Sequence, residues 1–368
     1  MSTLRCLALF GLALVPAVML AHDPAGGDNT THPPAPPQGA KLDPAKFLTQ
    51  PLLSGIYTAD PSAHVFGGKI YIYPSHDIDA GVKPDDLGSH FAMRDYHVLS
   101  MDVVGSPVTD HGVALDIKDV PWAGRQMWAP DAAEKDGRYY FYFPAKDKQD
   151  VFRIGAAIGS SPAGPFAARP EPIAGSYSMD PAVFKDTDGA YYMYFGGIWG
   201  GQLQRWASGA YKAEDVYPAA DQPALSPKIA RLADDMVSFA HAPRDVVVQD
   251  ANGTPLKAGD NSRRFFEGSW MHKYNGTYYF SYSTGDTHFL VYATGTSPYG
   301  PFTYQGKILE PVLGWTTHHS IVEFQGKWYL FYHDAQLSGG QTHLRNIKVT
   351  ELKYKDDGSI VTIDPYNE

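Results

Sequence analysis

The chain has 368 residues, of which 43% are hydrophobic, and a formal net charge of −10 at pH 7. An acidic chain lacks the clustered lysine and arginine that nucleic acids and anionic membranes attract, so we expect neither as a partner. The chain is rich in Tyr (24), Phe (18) and Trp (7), and such side chains fill sheets and also stack on sugar rings.

The N-terminus has the pattern of a secretory signal peptide. Arg5 supplies a positive charge, and residues 6–21 form an apolar run that ends at Ala21. This run is shorter than the roughly 20 residues of a membrane-spanning helix, which favours a cleaved signal over a retained anchor. We therefore predict a signal peptide at residues 1–21, a periplasmic or secreted location, and no membrane attachment after cleavage. The single cysteine, Cys6, lies in this segment, so the mature chain would contain no disulfide.

The composition changes twice after the predicted signal. Residues 22–45 are rich in proline, glycine and threonine, with little to bury, and are predicted to be a flexible linker. In residues 46–368, runs of β-branched and aromatic residues alternate with turn residues, and no helical period is convincing. We predict one all-β domain there.

Five segments of this all-β region share a pattern in which a turn glycine precedes a run of aromatic and β-branched residues. The glycines recur at intervals of about 50 to 90 residues, and four-stranded propeller blades recur every ~40–50 residues before insertions. The pattern predicts a five-bladed β-propeller. The aligned glycines are Gly68, Gly137, Gly189, Gly276 and Gly326.

The order of strands within a blade follows from the second and fourth repeats. Both contain a Ser-Pro-X-Gly-Pro-Phe turn, at Pro162 and Pro298. Residues 198–262 are predicted to contain the outer strands of the third blade and an insertion, and insertions in propellers lie on one face, often the binding face. In the fourth repeat the predicted strands cover residues 269–274, 277–283, 288–297 and 297–309.

Three carboxylates precede the repeats at nearly equivalent places: Asp60, Asp180 and Glu267. Equivalent positions of different blades converge on the propeller axis, so these side chains would share one pocket. Crowded carboxylates do not all ionise freely, and their pKa values separate into those of an acid and a base. Glycoside hydrolysis needs this division. The alternative is that each is a turn residue that caps a strand.

The residues around these carboxylates resemble glycoside hydrolase family 43, and most closely its single-domain β-xylosidase and α-L-arabinofuranosidase branch. The matching motifs are ADPS at Asp60, MDPAVF at Asp180 and FFEGSWMHKYNGTYYFSYS around Glu267. The resemblance implies an inverting five-bladed propeller enzyme that releases xylose or arabinose from hemicellulose oligosaccharides. It also implies that Asp60 is the general base, that Glu267 is the general acid, and that Asp180 orients the acid and raises its pKa.

The same resemblance implies two further residues at the site. Arg345 matches a substrate-contacting arginine, and its alternative is a surface salt bridge. His318 matches an axial histidine near a calcium ion. Calcium prefers six to eight oxygen ligands, so one imidazole completed by water would form a low-affinity site. The alternative for His318 is a buried histidine bonded to a carboxylate, and His319 would point to the opposite face of its strand.

Aromatic residues outside the repeats are candidates for sugar contact. Trp128 lies at the start of the second blade, where it would either stack on the sugar or pack in the core. Trp199 lies among glycines after the third repeat, which favours a position in the pocket. His76 and Asp77, which end the first repeat, are further candidates for substrate binding.

Two other functions remain open. A retaining fructan-type propeller glycosidase would use the first aspartate as its nucleophile, usually in an Asn-Asp-Pro context, whereas Ala59 precedes Asp60 here. A non-catalytic sugar-binding propeller would keep the aromatic walls and lose at least one of the three carboxylates, all of which are present. Both xylose and arabinose remain open as the sugar released.

Overall fold

The aromatic repeats form antiparallel sheets that are arranged around an axis. The computed structural model describes residues 42–367, and within this range the strands form five sheets. The innermost strands of the sheets contact one another in a ring. The fold is therefore a five-bladed β-propeller, as predicted. The predicted signal peptide with Cys6, and the predicted linker up to residue 41, lie outside the described residues.

Blade 1 is formed by β1 (Tyr57–Phe66), β2 (Lys69–Asp77), β3 (Asp95–Met101) and β4 (Thr109–Asp116). Blade 2 is formed by β5 (Ala123–Arg125), β6 (Asp131–Lys135), β7 (Arg138–Asp147), β8 (Phe152–Gly159) and β9 (Ala167–Ala168). Blade 3 is formed by β10 (Ala182–Lys185), β11 (Tyr191–Phe195), β12 (Lys228–Arg231) and β13 (Arg244–Asp245).

Blade 4 is formed by β14 (Val248–Gln249), β15 (Glu267–Tyr274), β16 (Thr277–Ser283), β17 (Leu290–Gly295) and β18 (Phe302–Leu309). Blade 5 is formed by β19 (His319–Phe324), β20 (Lys327–Asp334) and β21 (Asn346–Leu352). Single turns of 3₁₀ helix cover Pro44–Lys46, Ile117–Asp119, Trp199–Gly201 and Leu203–Trp206. The helical turns in the described part of the chain lack the length and apolar character that a membrane-spanning helix requires.

The strands of the fourth blade follow the predicted order, with a hairpin at Asn275-Gly276. β15 begins two residues before the predicted strand, at Glu267, and β16 has the predicted bounds. The outer strands expected within residues 198–262 are β12 and β13, and β14 instead adds to blade 4 by parallel pairing with β18. The sequence pattern thus identified the hairpins, and contacts between distant segments decided the pairing of the short edge strands.

The aromatic residues of each repeat fill the spaces between neighbouring blades. Successive side chains of a strand point to opposite faces, and β7 shows the result. Phe141 and Phe143 pack in the cluster shared with blade 1, whereas Tyr140 and Tyr142 pack in the cluster shared with blade 3. An uninterrupted aromatic run suits such a strand because both of its faces are buried.

Long-range hydrogen bonds close the ring between blades 5 and 1. The N–H of Leu52 donates to the carbonyl of Ile347 at 2.9 Å, and the N–H of Thr58 donates to the carbonyl of Arg345 at 2.9 Å. Phe47 forms an isolated antiparallel bridge with Tyr366. The segment before β1 is therefore joined to residues near the C-terminus.

The Ser-Pro-X-Gly-Pro-Phe turns have the same contact in both blades that carry them. Tyr73 in β2 donates its hydroxyl to the carbonyl of Pro162 at 2.7 Å. Tyr194 in β11 donates to the carbonyl of Pro298 at 2.6 Å. Each turn thus accepts a hydrogen bond from the preceding blade, which accounts for the repetition of the motif.

Candidate active site

A cavity of about 310 Å³ lies where the inner strands begin. Each of the five blades contributes a residue from the start of its inner strand or from just before it. These five residues are Asp60, Ala129, Asp180, Glu267 and His318. The three predicted carboxylates are therefore brought together, although they are far apart along the chain.

Local backbone irregularities direct the carboxylates into this cavity. Asp60 and Asp180 have φ angles of +51° and +54°, in the left-handed region that non-glycine residues seldom adopt. The strand register shifts between Ala59 and Ser62 in β1, which includes Asp60, and between Glu267 and Trp270 in β15. After Glu267 the left-handed residue is Gly268, at φ +69°. A β-bulge redirects a side chain at the end of a strand, and strained backbone of this kind is concentrated at functional sites.

Asp60 is held as a carboxylate. Its Oδ1 accepts a hydrogen bond from Arg345 Nη1 at 2.9 Å, and its Oδ2 accepts one from Ser75 Oγ at 2.6 Å. Burial alone would raise the pKa of Asp60, but the positive charge of Arg345 and the bond from Ser75 outweigh it and lower that pKa to about 2. Asp60 is thus a carboxylate at pH values well above 2.

Arg345 is buried, with 4% of its surface exposed, so the alternative of a surface salt bridge is wrong. Its Nε and Nη2 atoms donate to the two carboxylate oxygens of Asp77 at 2.9 and 2.8 Å. This paired geometry fixes the guanidinium plane. Asp77 therefore positions Arg345 so that its remaining nitrogen reaches both Asp60 and the cavity.

His333 supports the backbone of Asp60. Its Nδ1 accepts the N–H of Asp60 at 3.0 Å, so the ring hydrogen lies on Nε2, which is 3.0 Å from the carbonyl of Thr316. Burial lowers the pKa of His333 to about 3, which leaves the ring neutral. This histidine thus fixes the conformation of Asp60 without adding a charge.

Glu267 has the opposite electrostatic surroundings. Burial and the negative charge of Asp60 raise the pKa of Glu267 to about 8. Burial and the negative charges of Glu267 and Asp60 also raise the pKa of Asp180. The N–H of Gly268 donates to Asp180 Oδ2 at 3.0 Å, which favours the ionised form of Asp180. The proton that this pair retains is therefore assigned to Glu267.

His318 lies beside these carboxylates. Its Nε2 is 3.9 Å from Asp180 Oδ2, beyond hydrogen-bonding distance, and neither ring nitrogen has a hydrogen-bond partner among the described residues. Burial lowers the pKa of His318, so the ring is neutral with an available nitrogen. These features fit a single imidazole ligand for a cation. His319 points elsewhere and pairs with Ser281 at 2.6 Å.

Tryptophan side chains form the apolar walls of the cavity. Trp199 lines the cavity and stacks on Trp315 with ring centroids 5.5 Å apart. Trp128 lines it as well, but only 8% of its surface is exposed and its indole N–H donates to the carbonyl of Phe91 at 2.8 Å. Trp128 also packs on Phe152. It is therefore both part of the wall and part of the core beneath it.

The prediction for His76 was wrong. Its neighbours in β2, Ser75 and Asp77, reach Asp60 and Arg345, and alternation along a strand directs His76 to the other face. His76 does not line the cavity and its Nδ1 is 2.6 Å from Asp95 Oδ1. It is therefore excluded from the substrate-binding residues.

Several residues of the site were missed from the sequence. Ser75 and His333 occupy the same place in the first and fifth repeats, near the end of the second strand, and this equivalence was an available signal. Trp315 and Thr316 had no such signal because they lie in a loop before β19.

Asp131 begins the inner strand of blade 2 but does not line the cavity. Its carboxylate instead bonds to Ser62, His64 and the N–H of Val183.

Known proteins resemble this chain over nearly all of the described range. The model of the family described as glycosyl hydrolases family 43 matches residues 48–360. A xylosidase/arabinosidase of Bacteroides ovatus is 59% identical over 86% of this chain and 98% of its own length. Xylosidase/arabinosidase 43A of Humicola insolens is 60% identical over 86% of this chain and 99% of its own.

A solved structure agrees in fold as well as in sequence. It is a family 43 β-xylosidase/α-arabinofuranosidase from a compost microbial metagenome, in complex with xylotriose and in a calcium-free form. The TM-score is 0.86 at 67% identity, over 88% of this chain and 99% of the other. Together with the family match across residues 48–360, this likeness shows that the chain belongs to glycosyl hydrolases family 43.

Proposed function

We propose that this family 43 protein hydrolyses glycosidic bonds of hemicellulose oligosaccharides and releases xylose or arabinose. The observation that carries the proposal is the meeting of three carboxylates in one aromatic-walled cavity, where Asp60 and Asp180 are buried, Glu267 is partly buried, and their environments separate their pKa values. The relatives named above are xylosidases and arabinosidases, which supports these two sugars.

Each carboxylate has a proposed role that its surroundings support. Asp60 is ionised and acts as the general base that removes a proton from the attacking water. Glu267 retains its proton and donates it to the oxygen of the leaving group. Asp180 is a positioning residue that keeps the pKa of Glu267 high through its negative charge. The fork of Arg345 restrains Asp60 and offers donors to sugar hydroxyls.

We propose that the reaction inverts the anomeric centre. Asp60 is bonded to Arg345 and Ser75, which stabilise a carboxylate base, and Ala59 precedes it rather than the asparagine usual in retaining fructan-type enzymes. The test is hydrolysis of p-nitrophenyl β-xyloside and α-L-arabinofuranoside, with proton NMR of the first product. We expect the α-anomer of xylose first. The β-anomer of xylose first would show a double displacement. No hydrolysis of either substrate would favour a sugar-binding propeller.

We propose that His318 holds calcium at low affinity, with water molecules as the other ligands. The unpartnered ring nitrogens of His318 support this assignment, and a solved relative was described in a calcium-free form. Bound calcium would supply positive charge beneath the sugar site and favour ionised carboxylates. The residues of the chain carry out the proton transfers themselves.

A further inference from the structure

A second group of ionisable side chains lies in blade 1, outside the cavity. His76 Nδ1 is 2.6 Å from Asp95 Oδ1, and the ring centroids of His76 and His97 are 4.6 Å apart. In the described part of the chain, one ligand atom from each of these three residues lies within 4.8 Å of the others. None of them lines the active-site cavity. The hydrolytic chemistry proposed above therefore leaves this group unexplained.

The sheet geometry places the three side chains on one face. Asp95 and His97 are two residues apart in β3, so they point the same way. They continue the row of Leu99, which is fully buried against blade 5. His76 likewise continues the row of Ile72 in β2. Each of these two apolar rows thus ends in residues that can bind a metal ion. The side chains of these three residues are only 12 to 23% exposed.

A fourth residue orients His97. The two carboxylate oxygens of Asp110 lie 2.9 and 3.0 Å from His97 Nδ1. A carboxylate on one ring nitrogen leaves the other, Nε2, available as a ligand and makes it more basic. Histidine ligands of metal ions in proteins almost always have such a partner. Asp110 therefore gives His97 the surroundings of a metal ligand.

We propose that His76, Asp95 and His97 form a binding site for Zn²⁺ or a similar late first-row divalent ion. Zinc binds imidazole nitrogen and carboxylate oxygen at about 2.0–2.2 Å in tetrahedral geometry, so two ligand atoms of one ion lie about 3.3–3.6 Å apart. The ligand atoms of the three residues lie within 4.8 Å of one another, so rotation of the side chains would bring them to this spacing. Water completes the coordination, and the ion links β2 to β3. Calcium is disfavoured here because two of the three ligands are imidazole nitrogens and calcium prefers oxygen.

The test measures metal binding rather than activity, and it uses the His318→Ala variant so that the proposed axial site does not contribute. Untagged full-length protein is titrated with Zn²⁺ by calorimetry and with Co²⁺ by visible absorption. We expect one equivalent to bind. His97→Ala should weaken zinc binding at least about 100-fold, and Asp110→Asn should weaken it about 10–100-fold, the usual effect of losing an outer carboxylate.

His111→Ala is the matched control, because His111 lies in the same blade and bonds to Ser100 rather than to the group. It should bind zinc as the parent does, and zinc should raise the melting temperature of both. His76→Gln, which keeps a polar side chain, repeats the test if His97→Ala does not fold. Failure of the parent to bind zinc, or unchanged binding in both His97→Ala and His76→Gln, would overturn the proposal.

Discussion

Asp60 and Glu267 line one cavity, yet their protonation states differ because their contacts differ. Asp60 is paired with Arg345, whereas Glu267 faces the charge of Asp60 in a desolvated position. Burial penalises both charges, and only Asp60 has a cation and a hydroxyl close enough to offset that penalty. The division between base and acid is thus a property of the neighbours of each carboxylate rather than of its residue type.

This division predicts different behaviour for two alanine variants. Glu267→Ala should lose about 10²–10⁴-fold in kcat/KM on poor leaving groups, and much less on aryl glycosides with an acidic leaving group, since these need little protonation. Asp60→Ala should lose activity on every substrate because no base remains for the water. Steady-state kinetics on a series of aryl xylosides checks this. Equal losses on all leaving groups in both variants would contradict the assigned roles.

The pH profile should report the protonated state of Glu267. The acid must carry its proton, so kcat/KM falls as pH rises through the pKa of Glu267, about 8. On the acid side, Asp60 loses its charge only near its pKa of about 2. Asp180→Asn removes a negative charge near Glu267 and should move the alkaline limb down by about one to two pH units. Asp102→Asn, at an exposed site, is the control and should leave the limb in place.

The two adjacent histidines should differ in their effect on calcium. Chelation should lower the melting temperature or the activity of the parent, and added calcium should restore it. His318→Ala should abolish this response because His318 lines the cavity and both of its ring nitrogens lack a hydrogen-bond partner among the described residues. His319→Ala should retain the response, although it loses the bond to Ser281. Elemental analysis without metal, together with no effect of chelator, would make His318 a polar core residue only.

At the scale of single elements, β2 and β11 each contribute to two clusters of buried side chains, and a tyrosine hydroxyl of each strand reaches a turn of the next blade. We expect Tyr194→Phe to lower the free energy of unfolding by about 1 kcal/mol, because the carbonyl of Pro298 loses its donor while the ring stays packed. Chemical denaturation checks this value. Tyr71→Phe, in β2, serves as the comparison because its hydroxyl does not bond to either turn. An equal loss of stability in Tyr71→Phe would argue against a stabilising role of the Pro298 contact.

At the scale of the whole molecule, a propeller must close its ring, and here both ends of the described chain take part. The segment from Phe47 to Thr58 bonds to blade 5 and to the C-terminal residues. Residues before β1 and after β21 therefore both contribute to the closure of the ring.

We propose export of the protein, with cleavage after Ala21. N-terminal sequencing of periplasmic or secreted protein should find a chain that starts near His22, since the apolar run is the length of a signal and not of an anchor. A variant with Arg5→Glu should be processed less, because the positive charge before the run is removed. An intact Met1 in a cytosolic fraction would contradict export.

Much of the architecture follows from local pattern. A turn glycine followed by an aromatic run predicts a hairpin whose second strand is buried on both faces, and its fivefold repetition predicts the blades. The positions of Asp60, Asp180 and Glu267 relative to these glycines were enough to place them on one axis. Local periodicity suffices here because every blade repeats the same hairpin, and symmetry then brings equivalent residues together.

Only the tertiary structure decided what each side chain at the site contacts. The pairing of Arg345 with Asp77, across 268 positions of sequence, has no local signal, because it arises when the last blade closes on the first. The exclusion of His76 depended on the register of β2 relative to the axis, which one residue reverses. Sequence determined the repeated elements and their acidic residues, and ring closure determined which of these residues are charged and which are neutral.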